Sequence, residues 1–114
     1  DAVEGLTACL DVGHVYAAHD HPLQEYLDRI GDRLAHLHLQ DLYLVPGSRR
    51  AKEDSHRTPG QCDIPLSDWQ ELLSTLNRID YQGFAVIEVR PFTMLEIAAQ
   101  TSDFLDSVRY ETLI

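Results

Sequence analysis

The feature that most constrains this chain is a pattern that occurs three times: a short apolar run with an ionisable residue at or near its end, followed by a helical stretch. The runs cover residues 6–11, 34–39 and 84–89. Strands alternating with helices predict βαβ units, a parallel sheet and an α/β fold. Side chains alternate across a strand, so each face can be read directly. Thr7, Cys9 and Asp11 share one face of the first run, with Leu6, Ala8 and Leu10 on the other. Leu34, His36 and His38 oppose Ala35, Leu37 and Leu39; Phe84, Val86 and Glu88 oppose Ala85, Ile87 and Val89. One face is wholly apolar each time and is expected to pack on helices. The other ends in Asp11, His38 or Glu88. Strand-end polar residues of a barrel converge on one mouth. Asp, His and Glu at one height on adjacent strands form a ligand set for a divalent cation.

The intervening helices carry local signatures. Leu23, Tyr26, Leu27 and Ile30 recur at helical spacing, with Pro22 at the first helical position and Gly31 as the stop. Ser67 and Gln70 read as a capping box, followed by an apolar stripe of Trp69, Leu72, Leu73, Leu76 and Ile79. A final helix over residues 93–108, opening at Thr93, is expected to turn Leu95, Ile97, Ala98, Phe104, Leu105 and Val108 inward. Between Asp41 and Ser67 runs a segment rich in Pro, Gly and polar residues. Loops of that length are commonly functional, and this one leaves the carboxyl end of a strand, where parallel folds place their chemistry.

Further candidates cluster near those strand ends. His14 follows Asp11 by three residues across Gly13, which is expected to permit a tight turn, so both can address one site. Asp54 and His56 lie in the loop that overhangs the same mouth. Arg90, beside Glu88 and before Pro91, reads either as a binder of an anionic substrate group or as an exposed or structural cation. Asp41 either orients an imidazole or caps a loop or helix. His36, about 6–7 Å down its strand from His38, reads as a hydrogen-bonded core histidine. Cys9, below Asp11, reads as packing. His19 and His21, around Asp20, read as solvated loop residues or caps.

Composition bears on partners and compartment. The formal net charge of −10 disfavours nucleic acid, since phosphates are bound chiefly by Lys and Arg. The basic cluster Arg49-Arg50-Ala51-Lys52 is followed at once by Glu53 and Asp54, and reads as a solvated loop. No apolar run approaches the ~20 residues of a membrane span, and no signal peptide is evident. Two cysteines, Cys9 and Cys62, form no disulfide framework, so free thiols and a cytoplasmic location are expected. The start at Asp1, without a methionine, suggests a processed or excised piece.

Taken in order, Leu10-Asp11-Val12-Gly13-His14, His36-Leu37-His38-Leu39-Gln40-Asp41, Asp54-Ser55-His56, Pro59-Gly60, Asp63-Ile64, Tyr81-Gln82-Gly83-Phe84 and Ile87-Glu88 resemble the xylose isomerase-like TIM barrels. That superfamily joins sugar isomerases and epimerases, inosose dehydratases and apurinic endonucleases. The resemblance implies a partial (β/α)8 barrel, with residues 1–114 as its C-terminal part and the three strands as the sixth to eighth. It implies Asp11, His38 and Glu88 as ligands of a divalent metal (Mn, Mg, Zn or Co). It also gives Glu88 a catalytic role, in proton transfer beside a carbonyl or in fixing the substrate. His14 would contact substrate in isomerase-like members or a further metal in endonuclease-like ones. Asp54 and His56 would hold that further metal, although many isomerase-like members keep a similar pair.

Two departures stand out. Cys62 occupies the position where the family commonly has a second glycine, which predicts a reshaped turn. The first five strands are absent, together with a further glutamate used as ligand and base. Three βα units cannot close a barrel, so a missing N-terminal portion, a homo-oligomer or an open domain is expected. The leading expectation is a metal-dependent isomerase or epimerase acting on a small sugar-like substrate as part of a longer barrel. The alternatives are an endonuclease IV-like phosphodiester hydrolase and a non-catalytic truncated domain.

Overall fold

The computed structural model describes residues 4–18, 21–90 and 94–113. Asp1, His19, Asp20, Pro91 and Thr93, named above, lie outside them. The apolar runs form strands β1 (Ala8–Asp11), β2 (Leu34–Leu39) and β3 (Phe84–Ile87), all parallel and in the order β1-β2-β3. Helices α1 (Val12–Ala18) and α2 (Leu23–Ile30) connect the first two, with a 3-10 turn at Gly31–Arg33. Helix α3 (Leu66–Arg78) leads to β3, and α4 (Met94–Leu113) follows it. The chain is thus an α/β fold built on a parallel three-stranded sheet.

One face of that sheet carries the core. Leu10, Leu37 and Leu39 pack with Leu23 and Leu27 of α2 and with Trp69 and Leu72 of α3, while Val12, Val15 and Tyr16 of α1 join the same cluster. Helices α2, α3 and α4 lie side by side, α3 touching both of the others. The α3 stripe appears as expected, with Leu73, Leu76 and Ile79 only partly buried beside Trp69 and Leu72. The opposite face is open among the described residues: Cys9 is exposed, and Phe84 is 77% exposed.

Several local expectations are corrected. Leu34 was placed on the histidine face, yet it is buried in the helix-side core while Ala35 is exposed. The cause is a register irregularity: Ala8 pairs with Leu34 but Cys9 pairs with His36, so Ala35 is skipped and the alternation changes phase. The Ala35 carbonyl also stands 2.3 Å from where a Cβ on Gly83 would be, so only glycine fits at that point. The outer strands are shorter than read. Leu6, without a strand beside it, is 62% exposed, and Val89 lies beyond β3.

Helix ends differ too. Pro65 caps α3 with no side-chain cap bond, so the Ser67–Gln70 capping box does not form; the backbone N–H groups of Asp68 and Trp69 reach the Pro65 carbonyl instead. Pro22 sits at the N-cap rather than inside α2, and Gly31 stops that helix with φ +56°, the left-handed region that glycine enters without penalty. In α4 only the later part packs. Thr101 and Val108 are buried and Phe104 meets Trp69 edge-on at 5.5 Å, whereas Leu95 and Ala98 face solvent.

The long segment after β2 has structure of its own. Antiparallel bridges join Asp41 to Arg57 and Leu44 to Ala51. Asp41, wholly buried, accepts backbone N–H bonds from Leu42 (2.8 Å), Gly60 (2.9 Å), Cys62 (3.3 Å) and Ile64 (3.0 Å). Its carboxylate organises the loop and neither orients an imidazole nor caps a helix. Arg49 is not simply solvated. It pairs with Asp68, which also accepts from the Tyr16 hydroxyl, and its guanidinium lies over the Tyr16 ring at 5.5 Å. That contact holds the loop against α1 and α3.

Candidate metal centre

Strand register assembles the first half of the site. Asp11 pairs with His38 across β1 and β2, and His38 pairs with Val86 on β3. Glu88 follows the last regular residue of β3, yet its N–H still bonds the Leu39 carbonyl at 3.0 Å, so the strand is effectively prolonged by one rung. Ligand atoms of Asp11, His38 and Glu88 lie within 4.8 Å of one another. His38 Nδ1 is 3.2 Å from Glu88 Oε1 and 3.7 Å from Asp11 Oδ2.

The second half comes from a helix and the loop. His14, Asp54 and His56 also place one ligand atom each within 4.8 Å of one another. Asp54 Oδ2 lies 3.1 Å from His14 Nε2 and 3.2 Å from His56 Nε2. His14 Nδ1 stands 3.5 Å from Asp11 Oδ2, which joins the two halves. The loop is tied over the strand ends at His56: the Arg90 N–H donates to its carbonyl at 2.8 Å, and its Nδ1 lies 3.3 Å from the Glu88 carbonyl. His56 adopts φ +49°, an uncommon conformation for a residue with a side chain, and these two contacts hold it there.

Gly13 does not make the tight turn expected of it. Helix α1 begins directly after Asp11, and the carboxylate Oδ1 accepts the His14 N–H at 3.0 Å, as an N-terminal cap does. Gly13 instead leaves room for Gln40: a Cβ there would lie 2.4 Å from Gln40 Cδ. Gln40 is wholly buried and donates to Asp11 Oδ1 at 3.0 Å. It also lies near enough to Asp54 to help hold that carboxylate's pKa down, so it borders both halves. Sequence reading missed Gln40. A polar residue straight after a run of alternating leucines was the available signal.

Charge follows this geometry. Burial pulls the His14 imidazole down, but the Asp54 hydrogen bond and the charges of Asp11, Asp54 and Glu88 outweigh it and raise its pKa. Burial pushes Asp54 up, yet the His14 bond, the His56 and His14 charges and the nearby Gln40 amide leave it lowered. With Asp41, burial dominates and the pKa is raised in spite of the four N–H donors.

The donor set suits a divalent cation. Asp11 Oδ1 is satisfied by Gln40 and by the His14 N–H, whereas the buried Oδ2 has no hydrogen-bond partner among the described residues. A buried carboxylate oxygen without a partner is costly unless something cationic meets it. His38 and Glu88 complete a mixed N/O set around that atom, the kind that zinc, manganese or cobalt accept.

The other expected residues fall elsewhere. Arg90 is exposed and lines a cleft of about 270 Å³ with Tyr43, Arg57, Glu96 and Gln100, apart from the Asp11–His38–Glu88 group. His21 bonds Glu25 of α2 at 3.0 Å and joins no ligand group among the described residues. Cys62 fits its turn, since Gly60 supplies the positive φ of +85° and the Cys62 N–H closes on Asp41.

A parallel βα array with carboxylates and imidazoles gathered at its strand ends defines a class of α/β barrel proteins with metal-type sites. The chain belongs to the xylose isomerase-like TIM barrel family, whose model matches residues 1–108. It is 31% identical over 75 residues to fructoselysine 3-epimerases of Shigella flexneri and Escherichia coli O157:H7, a stretch covering 66% of this chain and 24% of theirs. The matched stretch thus spans about a quarter of the length of these curated relatives. No solved structure matches it significantly. Among the described residues, no helix is long and apolar enough to cross a membrane.

Proposed function

We propose that this chain is the C-terminal part of a divalent-metal-dependent isomerase or epimerase acting on a sugar-like polyol or keto-sugar. On this reading residues 1–114 contribute strands six to eight of the barrel, and an N-terminal portion or further copies complete it. The observation that carries the proposal is the buried Asp11 Oδ2, which has no hydrogen-bond partner among the described residues, with His38 and Glu88 converging on the same point. Family membership supports it, as do the fructoselysine 3-epimerases among the relatives.

Asp11, His38 and Glu88 would hold the metal. When bound, the cation supplies Lewis-acid polarisation of the substrate's carbonyl and hydroxyl oxygens. Gln40 and the His14 N–H keep Asp11 Oδ1 engaged, which leaves Oδ2 directed at the site. Glu88, on the open side of the group, is the residue to take or return the proton on the carbon beside a carbonyl. His14 contacts substrate.

The decisive measurement is divalent-metal content and affinity of the chain beside Asp11→Ala and Glu88→Ala. Both substitutions should remove binding at this site, and unchanged binding in the two variants would overturn the proposal. One observation favours a second reading: His14, Asp54 and His56 form a separate ligand group, as an endonuclease IV-like hydrolase would need. The net charge of −10 opposes it. Assays of the full-length protein for keto-sugar epimerisation and for incision of abasic duplex DNA separate the two.

A further inference from the structure

We propose that Cys9, His36 and His38 form a second metal site, one layer below the mouth, selective for a borderline-soft divalent cation such as Zn²⁺. Cys9 and His36 are direct partners across the β1–β2 pair, and His38 lies two residues further along the same face. One ligand atom of each residue falls within 4.8 Å of the others. The two imidazoles meet edge to face with centroids 5.1 Å apart.

The ordinary role expected of His36 does not apply. A core histidine is held by a hydrogen bond, but His36 is only partly buried and its ring makes none among the described residues; it touches the rings of His38 and Phe84. The His36 ring is therefore available as a donor on the same sheet face as Cys9, which has Tyr81 nearby. One thiolate and two imidazoles make a three-ligand set with a fourth position left for water, as zinc accepts. The sulfur ligand separates it chemically from the carboxylate-rich group above, which also suits harder ions.

Binding exchanges the Cys9 thiol proton for the metal and releases that proton to solvent. Cys9 and His36 play no part in the function proposed above. His38 belongs to both groups: its Nδ1 faces Glu88 at 3.2 Å, and because a neutral imidazole has one free lone pair the ring ligates a metal in one group at a time. The lower site is tested by a signal that only sulfur ligation produces.

Titration of the full chain with Co²⁺ should give a near-ultraviolet thiolate-to-cobalt charge-transfer band that excess Zn²⁺ bleaches. Cys9→Ser should abolish the band, Cys62→Ser should keep it, and His36→Ala should weaken Co²⁺ binding by about tenfold or more. Asp11→Ala and Glu88→Ala should leave it in place, so failure of the mouth site and failure of this one are distinguishable. In the Cys62→Ser chain, saturating Zn²⁺ should also slow modification of Cys9 by Ellman's reagent, a check independent of any further substitution. Absence of the band, its survival in Cys9→Ser, or equal Cys9 reactivity with and without Zn²⁺ overturns the proposal.

Discussion

At the scale of single residues, the site depends on how closely side chains may approach. Gly13 lies within a helix, where alanine would ordinarily be better by about 1 kcal/mol. Here the new methyl would meet Gln40 Cδ at 2.4 Å, and Gln40 is buried on all sides. Overpacking of this kind costs about 1–3 kcal/mol, so the clash outweighs the helical gain. Gly13→Ala should lower stability in urea denaturation and weaken metal binding at Asp11, because Gln40 must leave it. The His14–Asp54 pair gives a pH signature. His14 is raised from 6.5, so its contribution is fully present below that value and is lost as pH rises through the folded pKa. Asp54 is lowered from 3.8, so its contribution is present above 3.8 and is lost as pH falls through the folded pKa. Metal-free protein should therefore gain most from the pair between these two values. His14→Gln should flatten the dependence of melting temperature on pH; the effect is small because both side chains are substantially exposed.

At the scale of elements, the loop after β2 is held by one carboxylate. Asp41→Ala would leave four backbone N–H groups without their acceptor. Buried unsatisfied donors cost about 1–3 kcal/mol each, although relaxation and water entry recover part of that. A loss of about 3 kcal/mol or more is expected, with faster amide exchange across residues 41–64 as the localised readout. The loop's position over the mouth was legible in the sequence, since a segment leaving the carboxyl end of a parallel strand must begin there. Its internal order was not. Asp41 acts on residues up to 23 positions away, and nothing in local composition shows which backbone donors will fold back onto it. The failed capping box has a similar cause: Pro65 pre-sets the chain for helix entry, so α3 begins before Ser67 can serve as cap.

At the scale of the molecule, the two sheet faces differ in what they contribute to stability. Leu37 is wholly buried under the helices, whereas Phe84 on the other face is 77% exposed. Leu37→Ala should cost about 2–5 kcal/mol by cavity formation. In the isolated chain, Phe84→Lys should change stability by no more than about 0.5 kcal/mol. Urea denaturation of both variants checks the contrast. A large loss with Phe84→Lys would mean that the open face is covered in solution.

What the sequence determined alone is the periodic part: three strands, the helices between them, and the phase that carries Asp11, His38 and Glu88 to one end. Period-two alternation is local geometry, so it survives without knowledge of neighbours. Tertiary structure decided whatever depends on contact between distant segments. The skipped pairing at Ala35 moved Leu34 into the core, Gly13 made space for Gln40, and the loop carried Asp54 and His56 to His14. It also paired Cys9 with His36 across β1 and β2. Burial and approach are properties of the packed whole, and no window of sequence contains them.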